Sequence, residues 1–203
     1  TRVVIDVVTS SGEDLQIRFV DQRLFGGLMF DDMVLTKDLG PGGYSPEAPT
    51  GAYIPTTVSH IARDLLDPLF DESQVAIRMT KKNSGIKRVL LDQGLLSGIG
   101  NIYADESLWL AKLHYDKTSS SIPKKKHLEL LGIAKDVLAK AVAQGGTSFD
   151  EQYKNVNGES GYFSQSLNAY GQTGLPCNRC GATIKRDAWA NRGSHYCPKC
   201  QKR

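Results

Sequence analysis

The chain has 203 residues, 40% of them hydrophobic, enough for one large or two small domains with real cores. It carries no apolar run long enough to cross a bilayer, and with no secretory leader read in it a soluble, reducing, cytoplasmic setting is expected. The formal charge of +3 is unevenly divided: residues 1–77 hold 5 basic and 12 acidic side chains, residues 78–170 hold 13 and 9, and residues 171–203 hold 7 and 1. An acidic first block followed by two basic ones predicts a polyanionic partner for the second half, most simply nucleic acid, with ordinary solvated lysines as the plain alternative.

In chain order, Val3–Val8 and Leu15–Val20 are β-branched runs joined by Ser10-Ser11-Gly12-Glu13-Asp14, which predicts a β-hairpin with Leu15, Ile17 and Phe19 on one face. A third strand is expected around Leu28-Met29-Phe30, after a loop holding Arg23 and Phe25; Phe25 is equally readable as core. Three strands without a covering partner make a marginal sheet, as if the chain began inside a larger β domain. Residues 38–55 are rich in Gly and Pro, lack periodicity and are expected to form a mobile surface loop.

From Arg78 the chain turns basic through Lys81, Lys82, Lys87 and Arg88, and Ile86, Val89, Leu90, Gln93 and Leu96 keep helical spacing to Ser97. Gly98-Ile99-Gly100 breaks that helix, and Asn101 is expected at the N-cap of another reaching about Ala111. A helix start after a glycine turn suits a phosphate, although Asn101 is also explained by capping alone. Pro123 is expected to open a long helix with Leu128, Leu131, Lys135, Leu138 and Val142 on its inner face, ending at Gly145-Gly146. Lys124-Lys125-Lys126 reads as a solvated face, and the polar, glycine-bearing stretch 152–163 as a functional or disordered loop.

All four cysteines lie at the end, as Cys177-Asn178-Arg179-Cys180 and Cys197-Pro198-Lys199-Cys200. Two CxxC pairs at this separation fit a four-thiolate zinc site on a hairpin, with a pair of disulfides or free core thiols as the competing reading. Four thiolates leave no vacancy for His195, so the metal is structural. Between the pairs, Ala182–Ala190 and Ser194-His195-Tyr196 read as strands around a tight turn that presents Arg192, which is either a ligand contact or a solvated charge.

The motifs SGIKRVLLDQ (84–93), SGIGNIYADESLW (97–109), NVNGESGYF (155–163), AYG (169–171) and NRGSHYCPKC (191–200), in this order, closely resemble bacterial formamidopyrimidine-DNA glycosylases over nearly the whole chain. The resemblance implies an α+β chain: residues 1–77 as a remnant of an N-terminal β-sandwich domain, 78–170 as a helix-two-turn-helix DNA-binding domain, and 171–203 as a four-cysteine zinc ribbon. It implies phosphate contacts from Lys87, Asn101 and Arg192. Arg23 and Phe25 would fill the void left by an everted nucleotide, and Asn155, Val156, Asn157, Gly158, Glu159, Ser160 and Gly161 would close over the lesion base. It also implies one structural zinc held by Cys177, Cys180, Cys197 and Cys200. The expected partner of a monomer is duplex DNA with oxidised bases or abasic sites.

The family's nucleophile is an N-terminal proline followed by glutamate. Thr1-Arg2 stands here instead, so the expectation is a DNA-binding portion that is inactive as given. The alternatives are a non-catalytic lesion-sensing module and the sister branch that prefers oxidised pyrimidines; the loop and AYG motifs look more like the purine branch.

Overall fold

A computed structural model describes residues 1–21, 26–43, 51–146 and 167–203, which gather into two units, Thr1–Asp32 and Met33–Arg203. In the first unit, β1 (Val3–Val8) and β2 (Asp14–Phe19) pair antiparallel from Val3↔Phe19 to Val8↔Asp14. The turn closes because Thr9 accepts the Glu13 N–H on its hydroxyl at 2.9 Å and Gly12 takes φ 84°. Leu15 and Ile17, the face expected to be apolar, remain 53% and 56% exposed. The expected strand at Leu28-Met29-Phe30 does not form: flanked by Gly26-Gly27 and Asp31-Asp32, these side chains stand out from the protein, Phe30 entirely.

The second unit begins with the strand that replaces it. β3 (Met33–Leu35) pairs antiparallel with β4 (Tyr53–Pro55), in register Met33↔Pro55. The described ends of the Gly/Pro-rich stretch are therefore fixed, against the expectation of a mobile loop. Arg63 is the reason: it reaches Asp38 at 2.6 and 2.8 Å, Asp67 at 2.7 Å and the Pro41 carbonyl at 3.2 Å. This guanidinium holds the Asp38 carboxyl well below the usual carboxylate range. Residues 44–50 lie outside the described residues.

Four helices among the described residues make the core. α1 (Glu72–Met79) has too short an apolar pattern to be legible as a helix in the sequence; Asp71 caps it by accepting the Gln74 N–H at 2.9 Å, and it buries Val75, Ala76 and Met79. A domain boundary between residues 77 and 78 would cut this helix. α2 is only Ile86–Leu90, shorter than the expected helix to Ser97, because Leu91 leaves helical geometry and the Asp92 side chain accepts from the Gly94 N–H at 3.1 Å. Leu95 and Leu96 are still buried in the same core, so the apolar spacing survives the break.

Gly98 takes φ 86° against the Asp64 carboxylate, where a Cβ would collide. α3 (Asn101–Leu110) then runs through the middle of the unit with Ala104 to Trp109 all buried. Its cap residue is Gly100, not Asn101, and Gly100 supplies no side-chain cap. α4 (Lys124–Ala143) follows Pro123 and buries His127, Leu130, Leu131, Ala134, Val137, Leu138 and Ala141. That stripe is rotated from the expected one: Lys135 and Val142 face out, and Leu131 and Leu138 face in. Last comes a hairpin of β5 (Lys185–Trp189) and β6 (Arg192–Tyr196), closed by Ala190 and Asn191 at φ 44° and 59°, the double positive φ of a two-residue hairpin turn.

His127 is fully buried on the inner face of α4; its Nε2 lies 3.0 Å from the Ser119 carbonyl and its Nδ1 has no hydrogen-bond partner among the described residues. Burial pushes its pKa down, so the unfolded chain takes a proton more readily than the folded one. Stability is fully present above the ordinary histidine pKa of about 6.5 and falls as pH drops below it. We expect the Tm from circular dichroism to decline between about pH 7 and pH 5, and His127→Gln, which keeps a donor for Ser119, to make the decline shallower. His114, whose pKa burial also pushes down, maintains part of it. An unchanged steepness in H127Q would remove His127 from the account.

Candidate nucleic-acid interface and metal centre

Cys177 and Cys180 precede β5, Cys197 and Cys200 follow β6, and their four sulfurs all lie within 4.8 Å of one another with no disulfide among them. Zn–S bonds of about 2.3 Å place tetrahedral thiolates about 3.8 Å apart; Cys180 and Cys197 Sγ are at 3.5 Å. Gly181 at φ 72° returns its N–H to the Cys177 carbonyl at 2.8 Å, while the Cys200 N–H and the Trp109 indole approach sulfur at 3.4 Å. Burial pushes the Cys197 thiol up to about 12 and raises Cys200. Burial opposes ionisation of Cys177 too, but the N–H of Arg179 and the Trp109 indole bring it down to about 6. Four sulfur donors without a fifth group suit one structural zinc, which when bound locks the two chain ends of the hairpin together.

His195 is engaged elsewhere, in keeping with a metal site already filled by four thiolates, and its partner organises the unit. Asp105 on α3 is 1% exposed. Its Oδ2 accepts the His195 N–H at 2.9 Å and lies 3.1 Å from His195 Nδ1, and its Oδ1 forms an ion pair with Lys87 Nζ at 2.6 Å. Lys87 Nζ donates further to the Gly193 carbonyl at 3.0 Å and to Ser194 Oγ at 2.8 Å. One carboxylate thus ties α2, α3 and β6 into a dry cluster. Burial pushes the Lys87 pKa down, Asp105 opposes that, and the nearby Arg192 charge adds to it.

The resemblance implies that Lys87 grips a backbone phosphate. It is 0% exposed, and the structure corrects that role: its ammonium is consumed by Asp105, Gly193 and Ser194, and it acts as a strut beneath the hairpin. Asn101 is half-buried at the first turn of α3 and donates Nδ2 to the same Gly193 carbonyl at 3.2 Å. Arg192, beside Gly193, is exposed at the start of β6. The three predicted positions therefore converge on one residue, Gly193, from sites about a hundred residues apart in sequence. Arg23, Phe25 and Asn155–Gly161 lie outside the described residues.

Sequence reasoning missed the acids. Glu106, 2% exposed, accepts the backbone N–H groups of Asn168, Ala169 and Tyr170 at 2.9, 2.7 and 2.8 Å, fixing the AYG segment. The available signal was Asp105-Glu106 inside an otherwise apolar helical run, since adjacent buried acids require internal partners. The ribbon is held to the helical core at further points: Arg179 stacks 4.0 Å from the Trp109 ring centre and donates to the Trp109 carbonyl at 3.0 Å, Tyr115 donates to Asp187 at 2.7 Å, and Gln201 to the Leu113 carbonyl at 2.9 Å. No helix among the described residues is long and apolar enough to cross a membrane.

Two family models match the chain: "Formamidopyrimidine-DNA glycosylase H2TH domain" over residues 61–152 and "Zinc finger found in FPG and IleRS" over residues 174–203. The chain is 54% identical over 189 residues to the formamidopyrimidine-DNA glycosylase of Leifsonia xyli, covering 93% of this chain and 63% of that one. It is 48% identical over 206 residues to that of Thermobifida fusca, covering 100% and 66%. It thus spans slightly under two thirds of these curated relatives. Among solved structures, the MutM (Fpg) protein of Thermus thermophilus superposes with a TM-score of 0.67 at 35% identity, over 70% of this chain and 54% of that one. Lactococcus lactis Fpg in complex with DNA containing an abasic site gives 0.67 at 35%, over 76% and 59%.

Removing one partner of the buried pair leaves an uncompensated charge, a loss of about 3–5 kcal/mol. Lys87→Met should lower the denaturation midpoint by that equivalent, and Lys87→Met with Asp105→Leu should recover part of it; equal loss in single and double variants would show that the pair is uncoupled. Stripping the metal with a chelator should release one zinc per chain and change Trp109 fluorescence, because a structural site contributes on the order of 10 kcal/mol of folding free energy. An unaltered spectrum after release would contradict the structural role.

Proposed function

Because the chain belongs to the formamidopyrimidine-DNA glycosylase family, we propose that it is the duplex-gripping part of a base-excision repair enzyme that removes oxidised purines, 8-oxoguanine and formamidopyrimidines, from DNA. The observation that carries this is the convergence of the α3 start and the Arg192 turn on Gly193. The first hydrogen bond inside α3 runs from the Ala104 N–H to the Gly100 carbonyl, the Asn101 and Ile102 N–H groups before it have no acceptor among the described residues, and none of those residues stands near the Cβ position of Gly100. A helix end of this kind favours an anion. The Arg192 guanidinium offers a fork of N–H donors matched to phosphate oxygens. Together they grip two points of the backbone while the Lys87–Asp105 strut keeps their spacing.

In this reading, the boundary expected between residues 77 and 78 moves ahead of α1, which packs in the helical core; the residues before Glu72 belong to the β domain, those from there to 170 to the helical DNA-binding domain and 171–203 to the zinc ribbon. Arg23 and Phe25 fill the space left by the everted nucleotide, and Asn155–Gly161 close over the base. The whole enzyme joins base excision to strand cleavage through a Schiff base on a nucleophilic amine; no residue of this chain is assigned that role. It works as a monomer in the cytoplasm, on the DNA of the nucleoid.

Two measurements test the reading. Arg192→Ala should weaken binding to abasic and undamaged duplexes alike and reduce the salt slope by about one unit; anisotropy titrations showing neither change would remove Arg192 from the grip. Borohydride should trap the full-length protein, and not this chain, on an 8-oxoguanine duplex. An adduct with this chain would place the nucleophile within it.

A further inference from the structure

A cleft of about 490 Å³ lies between the helical core and the tip of the ribbon hairpin, lined by Lys82, Arg88, Asp92, Trp189 and Arg192 together with small and apolar neighbours. Its charge is lopsided. The single carboxylate of the lining, Asp92, is engaged by Lys82 at 3.0 Å, whereas Arg88 and Arg192 are exposed and have no acceptor or carboxylate partner among the described residues. Two exposed guanidiniums line one concavity, which gives it a positive field that favours an anion.

Trp189 gives the cleft a fixed wall. The ring packs on the helical core, with Lys87 Nζ 5.0 Å and Arg88 Cζ 5.5 Å from its centre. A cation near an aromatic ring is held by the quadrupole while its N–H groups remain available, so Arg88 loses rotamer freedom before any ligand arrives. Ser84, Val89, Leu91 and Ala190 complete the lining with no further charge. A restrained guanidinium presents a fork of N–H donors that pairs with the two non-bridging oxygens of a phosphodiester.

We infer that this cleft holds a further phosphodiester of the bound duplex, with Arg88 as its main contact and Trp189 as the residue that positions Arg88. Arg88, Lys82 and Trp189 lie outside the grip described above, and they extend it beyond Arg192 along the same backbone. The inference rests on the reading that the chain grips duplex DNA.

The test uses the zinc-loaded chain and a duplex bearing an abasic-site analogue, followed by anisotropy over a salt series. Arg88→Gln should lower affinity about three- to tenfold near 0.1 M salt and reduce the salt slope by about 0.9. Arg88→Lys should keep the slope, and Lys125→Gln, an exposed charge away from the cleft, should alter neither quantity. If R192Q weakens binding and R88Q changes neither affinity nor slope, the cleft contact is wrong and the grip stands. An equal slope change in K125Q would show a diffuse field in place of a site, also overturning it. If the unaltered chain fails to bind duplex at all, the proposed function and this inference fall together.

Discussion

Asp105 has surrendered its water inside α3, and a carboxylate that does so must find cations and N–H groups within the protein. It finds Lys87 from α2 and the backbone and ring of His195 from β6. These partners come from two parts of the chain, α2 and β6, that no local rule brings to α3, so satisfying one charge fixes the relative placement of helix and hairpin. The same requirement consumes the Lys87 ammonium and aligns the Gly193 carbonyl, to which Asn101 also donates. Arg192 inherits its position from that alignment.

The ribbon is too small to supply its own core. Ile184, Cys177 and Cys197 are buried with Trp109 of α3, so part of its apolar surface is covered by the helical unit, and the metal ties its two ends. Glu106 does for the AYG segment what Asp105 does for β6, collecting three successive N–H groups. Two adjacent acids on α3 therefore anchor two different segments that follow it, one on each side of the first cysteine pair.

What could be read in the sequence was what depends on local chemistry. The hairpin at Val3–Phe19, the glycine break before α3, the start of α4 after Pro123 and the four-sulfur cluster all follow from turn residues and spacing. The errors arose where tertiary contacts, or a local side-chain turn inside an apolar pattern, decided. The Asp92 turn cut α2 short, although Leu95 and Leu96 kept the helical spacing that suggested a longer helix. Arg63 ordered the ends of a stretch whose composition suggested mobility. Lys87 lay in a basic run that read as surface, and only its distant partner Asp105 reveals that it is buried. Arg88, its neighbour, is the exposed one, which a difference of one residue along a helix is enough to produce.

The central claim is that the buried carboxylate sets the geometry of an outer grip it never touches. Its most direct test is the affinity of zinc-loaded Asp105→Asn for an abasic duplex, with zinc content measured on the same sample. The account predicts at least about a tenfold loss of affinity, equal to about 1.4 kcal/mol, with one zinc retained and Arg192 intact. Unchanged affinity in a folded, zinc-loaded D105N protein would contradict it.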